Sequence, residues 1–375
     1  MTPLIYNTTS YFKNLLTYHG IEFSGESQYR VAGFDRYNSL VDTNACFSTA
    51  PSGDIVDRTN TIKMPWNMWV HRPWIVPVEQ PGTLDECFQQ RVNELLSTGQ
   101  QLNLFWSGGI DSTSMLVGFL NHCSNLEQIR VLYSTNSIKE NPNFFLILEQ
   151  HPNIEMVEFS GDVYLEQDLD GLFISADGAD DLTASLDDSF YARIGYQGLQ
   201  SLWPDYFYKQ TGNSNLIDSF EQFCQTSGRS IYTILEARWW FYTATKIQKF
   251  PSILSGALQD HQPLPLGFYD CYVFEHYMFY NLDQIIPNKN YNSYKQFLKD
   301  YIYKYDKNTD YQTNKQKVTS EQLNLYKNKK QILQSKQYIM LLSDGTRIRT
   351  PNLPFLSEKE YRQQYGDNLN YLFNV

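Results

Sequence analysis

Two short runs of hydroxyl, glycine and carboxylate residues hold the chemistry of this 375-residue chain. The first is Ser107-Gly108-Gly109-Ile110-Asp111-Ser112, set between the apolar run Leu104-Phe105-Trp106 and the run 113–120. A buried strand followed by a helix fits that pattern, so the six residues read as the turn between them. Two glycines let the backbone approach a ligand closely, and the first N–H groups of a helix lack intrahelical partners at the positive end of its dipole. Such a turn suits a phosphate chain, and Ser107, Ser112 and Thr113 add hydroxyl donors. Asp111 is the odd member. A carboxylate facing phosphates is repulsive unless a cation lies between them, which implies magnesium. The second run is Ser175-Ala176-Asp177-Gly178-Ala179-Asp180-Asp181, after an apolar strand that starts at Leu172. Four acidic or hydroxyl side chains around one glycine make a poor core but a good metal and phosphate site.

The elements that must position these runs are legible around them. Thr83 is placed to cap a helix over 84–96, with Asp85 and Glu86 in its first turn. That helix delivers the chain to the strand at Leu102. Further strands are predicted at 129–133 and 154–159. Strand, loop, helix, strand, helix, strand predicts an α/β fold with a doubly wound parallel sheet and its ligand at the carboxyl ends of the strands. The stretch 190–250 reads as mostly helical. Within it, 231–250 carries Glu236, Arg238, Trp239 and Trp240 and fits a core helix with a salt-bridged flank. Residues 337–350 read as a β-hairpin turning at Ser343-Asp344-Gly345. The chain therefore divides into a small N-terminal unit (1–82), an α/β domain (83–320) and a C-terminal extension with the hairpin (321–375). In the N-terminal unit, 65–77 holds three tryptophans among prolines and reads as an irregular packed seam. His71 and Arg72 lie in it.

Composition excludes several classes. A net charge of −11 argues against a broad nucleic-acid surface. Five scattered cysteines, Cys46, Cys87, Cys123, Cys224 and Cys271, form no Cys-x-x-Cys pair, and read as reduced thiols rather than a disulfide framework or a metal set. No run approaches the roughly 20 apolar residues of a membrane span. The expectation is a cytoplasmic protein without membrane partners.

The first run lacks the lysine of a Walker loop and the three glycines of a dinucleotide fingerprint. It resembles instead the pyrophosphate-binding loop of the N-type ATP pyrophosphatases, the PP-loop superfamily. The second run resembles the Ser-Gly-Glu-Gly-Ala/Ser-Asp-Glu motif of the asparagine synthetase synthetase domain. Here Ala176 replaces a glycine, Asp177 and Asp181 replace glutamates, and Leu182-Thr183-Ala184-Ser185 replaces a Phe-Gly-Gly-Tyr continuation. The segment 265–282 is similar to the family's Pro-Phe-Leu-Asp stretch, with Asp270 as the matching acid. The segment 294–303 resembles its Lys-x-x-Leu-Arg helix, aligning Lys295 and placing Lys299 near the arginine. The segment 313–318 resembles the stretch with a catalytic lysine, matched by Lys315 first and Lys317 second. The likeness covers 83–318.

The resemblance implies an adenine nucleotide alpha hydrolase-like fold and an ATP-dependent amide ligase that releases AMP and pyrophosphate. ATP and its pyrophosphate would bind Ser107, Gly108, Gly109, Asp111, Ser112, Ser175 and Gly178, with the adenine near Tyr133 and Ser134. Asp111 and Asp180 would share Mg2+, and Asp177 and Lys315 would be catalytic. The substrates would be a small-molecule or peptide carboxylate and an amine donor. The family's glutaminase half has no counterpart in the sequence, so a separate ammonia source or another amine is expected. Two alternatives fit the same residues: a PP-loop enzyme adenylating a nucleobase carbonyl, and a non-catalytic ATP-binding protein.

Overall fold

A computed structural model of the chain describes residues 4–5, 39–40, 43–44, 46–47, 57–61, 72–159, 169–186, 188–248, 265–315, 338–341 and 347–350. In chain order the numbered elements are β1 (Leu4–Ile5), α1 (Leu84–Leu96), β2 (Leu102–Phe105), α2 (Ile110–His122), β3 (Ile129–Tyr133), α3 (Thr135–Glu140), α4 (Pro142–Glu149), β4 (Glu155–Glu158), β5 (Leu172–Ser175), α5 (Ala179–Leu182), α6 (Asp188–Leu199), α7 (Trp203–Thr211), α8 (Ser214–Gln225), α9 (Ile234–Thr245), β6 (Leu266–Gly267), α10 (Tyr272–Tyr280), α11 (Gln296–Asp306), α12 (Thr309–Asn314), β7 (Tyr338–Leu341) and β8 (Arg347–Thr350). They fall into two compact units, each drawn from separated stretches of chain. One comprises Val76–Tyr191 and Ala257–Gln331; the other comprises Met1–Ile75, Ala192–Gly256 and Ile332–Val375.

The first unit is built on a five-stranded, all-parallel sheet in the order β4-β3-β2-β5-β6. The protein is thus of the α/β class, with a sheet compatible with double winding. Its middle strand β2 is buried along its whole length, as its apolar residues require in a parallel sheet covered on both faces. Asn103 is the polar exception. Its amide donates to Asp170 O at 2.8 Å and its oxygen accepts from Arg130 at 2.9 Å, so its burial leaves both ends of the amide bonded.

Helices α1 and α2 pack together, and α11 packs on α2. Thr83 caps α1 in a full capping box with Glu86, as the sequence predicts. Phe88 on α1 stacks on Tyr301 of α11 with ring centroids 4.2 Å apart. A Cβ on Gly118 of α2 would lie 2.6 Å from the Phe88 ring, so the glycine permits this close crossing. Phe105, Leu132 and Phe173 on three neighbouring strands form a cluster with Val157, Phe159 and Leu169.

The strands expected at 129–133 and 172 onward are β3 and β5, and the one expected over 154–159 is trimmed to β4. The helix expected over 113–120 begins earlier, at Ile110 with Gly109 as N-cap. The glycine turn is therefore Ser107-Gly108-Gly109 alone, and Asp111 and Ser112 lie in the first helical turn.

The second unit holds α7, α8 and α9 around an aromatic core. Trp203, Phe207 and Phe220 meet edge-on or tilted, and Phe223 lies against Trp240. The helix expected over 231–250 is α9, which starts at Ile234 because Thr233 and Glu236 form a capping box there. Trp239, Trp240 and Arg238 are fully buried on it, while Glu236 pairs with Arg229 at 3.3 Å. The predicted C-terminal hairpin is present as β7 and β8, antiparallel, and β1 adds to β7 as a third strand. Its turn residues lie outside the described residues. Among the described residues no helix is long and apolar enough to cross a membrane.

Candidate active site

The chain leaves β2 through the glycine turn and goes outward to β3 and β4; it later returns to the opposite side of β2 as β5 and β6. The strand order thus reverses between β2 and β5, and open α/β sheets bind ligands at the carboxyl ends of the strands at such a point. Both chemistry-bearing runs follow these two strands. The topology, not proximity in sequence, brings them together.

Gly108 has a φ of +75°, and a Cβ there would lie 2.4 Å from Ser137 O and 2.7 Å from Glu140 Cβ. The turn is pressed against α3 from behind, and Tyr311 holds it further by donating to Gly108 O at 3.1 Å. Gly109 differs: its φ is −74°, and a Cβ there would meet only Ser107 Oγ, at 3.3 Å. No side chain caps α2, so the N-terminal dipole of this 13-residue helix opens over Gly109. The Ser107 N–H donates to Ser112 Oγ at 3.1 Å and the two hydroxyls lie 3.0 Å apart. The serines therefore lock the turn as well as lining it. The buried Trp106 indole N–H donates to Thr113 Oγ1 at 3.1 Å, fixing the strand end to the helix.

Asp111 and Asp180 converge on one cationic atom, the Nζ of Lys295. The ammonium donates to Asp111 Oδ1 and Oδ2, both at 2.7 Å, and to Asp180 Oδ1. Three acceptors saturate the three N–H bonds of an ammonium. The lysine side chain is only 4% exposed, against 23% for Asp111 and 52% for Asp180. Burial by itself pushes the ammonium down, but the charges of Asp111 and Asp180 outweigh it and hold Lys295 well above the usual lysine range. The Nζ also lies 5.5 Å from the Tyr294 ring centroid, a cation–π distance.

Lys295 occupies the left-handed region, with φ 57° and ψ 29°, immediately before α11. That conformation costs a non-glycine residue on the order of 1–3 kcal/mol, so the surroundings must enforce it. Its N–H donates to Ile285 O at 3.2 Å, and its carbonyl accepts from Leu298 and Lys299 N–H. Tyr294, half-buried beside it, shares a 2.9 Å hydrogen bond with Thr183, one turn past Asp180, and accepts from Leu186 N–H. Burial raises the Tyr294 phenol, and likewise that of Tyr269, which keeps both as neutral hydroxyls. Tyr269 donates to Asp111 O at 3.2 Å. Each carboxylate-bearing turn is thereby pinned by a tyrosine hydroxyl.

The remaining predicted residues are placed as follows. Ser175 ends β5, buried, with its carbonyl accepting from Phe268 N–H at 2.7 Å. Gly178, with φ 96°, turns the chain into α5. Asp177 O and Asp270 Cβ flank Gly267, at 3.2 and 2.9 Å from where its Cβ would be. Arg91 of α1, buried, donates to Gly267 O and Phe268 O, both at 3.0 Å, and so fixes this corner. Ser134 caps α3 in a reciprocal pair with Ser137. Lys299 donates to Asn292 O at 2.7 Å, and burial pushes its ammonium down. Lys315 pairs with the buried Glu140, on the segment that backs Gly108. Lys317 and His71 lie outside the described residues. Lys295 is thus the lysine on the carboxylate pair, whereas the sequence assigns that role to no residue and gives Lys295 only a place in a helix motif. Nothing in its spacing signals a left-handed residue whose side chain turns back to loops more than a hundred positions away.

Two hard oxygen donors from the first turns of separate helices, with a cation already accepted between them, fit Mg2+, which commonly takes one or two protein carboxylates and completes its shell with substrate phosphates and water. Among the described residues no group of three or more His, Cys, Asp or Glu side chains is placed to hold a metal. No protein-family model, curated protein or solved structure gives a significant match to this chain.

Proposed function

We propose that the parallel-sheet unit is a PP-loop ATP pyrophosphatase domain of the asparagine synthetase type, and that it acts as an ATP-dependent, AMP- and pyrophosphate-forming amide ligase. One observation supports this above the others: Asp111 and Asp180, from the turns after adjacent strands β2 and β5, share a single cationic position at the topological switch point. A carboxylate is inert to amines because its leaving group would be oxide, and adenylation replaces that group with AMP. Mg2+ held by Asp111 and Asp180 would neutralise phosphate charge and act as a Lewis acid.

The chain's own residues have defined tasks in this scheme. The N–H groups at the start of α2, with Ser107, Gly108, Gly109 and Ser112, hold the leaving pyrophosphate. Ser175 and Gly178 shape the nucleoside side, and Asp177 orients or deprotonates the attacking amine. Lys315 is the residue that the family likeness matches to the oxyanion-stabilising lysine. Groups of this electrostatic kind are typically worth about 3–4 kcal/mol, so loss of Asp111 should slow turnover by roughly two to three orders of magnitude.

Turnover of radiolabelled ATP with Mg2+, given aspartate and ammonium or a low-molecular-weight cell extract, tests the reading. AMP and pyrophosphate that form only with substrate and vanish in Asp111→Ala support it. ADP in place of AMP refutes it. A second reading, a non-catalytic ATP-binding scaffold, is favoured by the fact that Lys295 already neutralises the carboxylate pair. ATP binding without AMP in any mixture would select it.

A further inference from the structure

We propose that Lys295 is a displaceable internal cation: it holds the Asp111–Asp180 pair closed and must give up that pair before a divalent ion can take it. The inference rests on the reading of Asp111 and Asp180 as metal ligands. Three features support it. The ammonium is saturated by oxygens of both carboxylates, so a divalent ion bridging the pair must take the position that Lys295 Nζ fills. The lysine is almost fully buried while Asp180 is half exposed, so the acceptors open to solvent but the cation between them does not exchange with it. Finally, Lys295 is held in a left-handed backbone conformation at the start of α11, the kind of enforced outlier that clusters at functional sites.

The structure also supplies the means of displacement. The Lys295 backbone is fixed by its own hydrogen bonds to Ile285 and Lys299, whereas its side chain is a flexible four-carbon stem. Movement of the ammonium alone vacates the pair and leaves the turns in place. Arrival of a metal–nucleotide complex then exchanges one positive charge between the carboxylates for another, and the released ammonium is delivered beside the phosphates. Binding of the metal by itself has no such second partner for the ammonium and is disfavoured.

Mn2+ binding without nucleotide, followed by electron paramagnetic resonance, reads this directly. The variants are Lys295→Met, which keeps most of the side-chain volume, and Lys295→Gly, which suits the left-handed backbone. Both are expected to bind Mn2+ at least tenfold tighter than the wild type, with the gain lost when Asp111→Asn is added. Equal affinity in wild type and both variants, lost in each with Asp111→Asn, overturns the displacement while leaving the metal-site reading intact. Absence of Asp111-dependent Mn2+ binding in every protein, with or without a non-hydrolysable ATP analogue, overturns both. In the wild type, the 15N-lysine ammonium signal in contact with the Tyr294 ring should shift when Mg2+ and the analogue are added together. An unchanged signal at saturation overturns the proposal whatever the variants do.

Discussion

The two glycines of the turn are adjacent in sequence but differ in the work they perform, and alanine at each separates the roles. At Gly108 the φ of +75° costs a side chain about 1–2 kcal/mol. The new methyl group would also lie 2.4 Å from Ser137 O and 3.2 Å from Asn141 N, both backbone atoms that cannot swing aside. Forced overpacking of this kind costs about 1–3 kcal/mol, so Gly108→Ala should lose about 3 kcal/mol. For a unit of 150–250 residues each kcal/mol moves Tm by about 2–4 °C, so the transition should fall by about 6–12 °C. At Gly109 the φ is ordinary and the one close atom is Ser107 Oγ at 3.3 Å. Gly109→Ala should melt within about 4 °C of the wild type, since an N-cap change is worth about 1 kcal/mol. Its methyl group stands where a phosphate would approach, so ATP affinity should fall about tenfold or more. Differential scanning calorimetry and ATP titration of both variants suffice. A Gly108→Ala protein melting with the wild type, or a Gly109→Ala protein melting as early as Gly108→Ala, would refute the division of labour.

Three further outcomes are expected. Lys315→Ala strands the buried Glu140 charge and should cost about 3–5 kcal/mol; the double variant with Glu140→Gln should recover most of it in denaturant titrations, and AMP formation in that double variant would show Lys315 to be structural. Burial pushes the Cys87 thiol up to about 12 from an ordinary 9.0. The folded state therefore keeps a proton that the unfolded chain loses, and stability should decline as pH rises from 9 toward 12; the decline should be shallower in Cys87→Ala, and an unchanged slope would count against the assignment. Arg91→Met removes donors from two buried carbonyls, Gly267 O and Phe268 O, each costing about 1–3 kcal/mol when left unsatisfied; urea unfolding should show a loss of about 2–6 kcal/mol.

The frame of the site was legible because its signals are local. Thr83 and Glu86 announce α1, the apolar run announces β2, and the glycines announce the turn. Gly109 as N-cap was less legible, because Ile110 and Asp111 are as acceptable in a loop as in a first helical turn. The interleaving of the two units is invisible to a reading along the chain: nothing local at 192 or 257 states that the intervening helices belong to a different unit from the segments that precede and follow them. Lys295 was hidden for a different reason. It lies in a lysine-rich region where no one lysine stands out along the sequence, and its role depends on a backbone conformation and on partners 115 and 184 positions away.

That separation bears on how the molecule is made. Strands β2, β3 and β4 come from one continuous stretch and pair with their sequence neighbours, so their association needs only short loops to close. Strand β6 and helix α11 arrive after the chain has passed through the helices of the other unit. A ribosome-bound chain that has passed α5 already carries both acidic turns but not yet their counter-charge. The repulsion between Asp111 and Asp180 is then quenched only when Lys295 emerges and docks. The charge cluster is therefore a late event in folding, one that waits on a residue made after all five strands of the sheet.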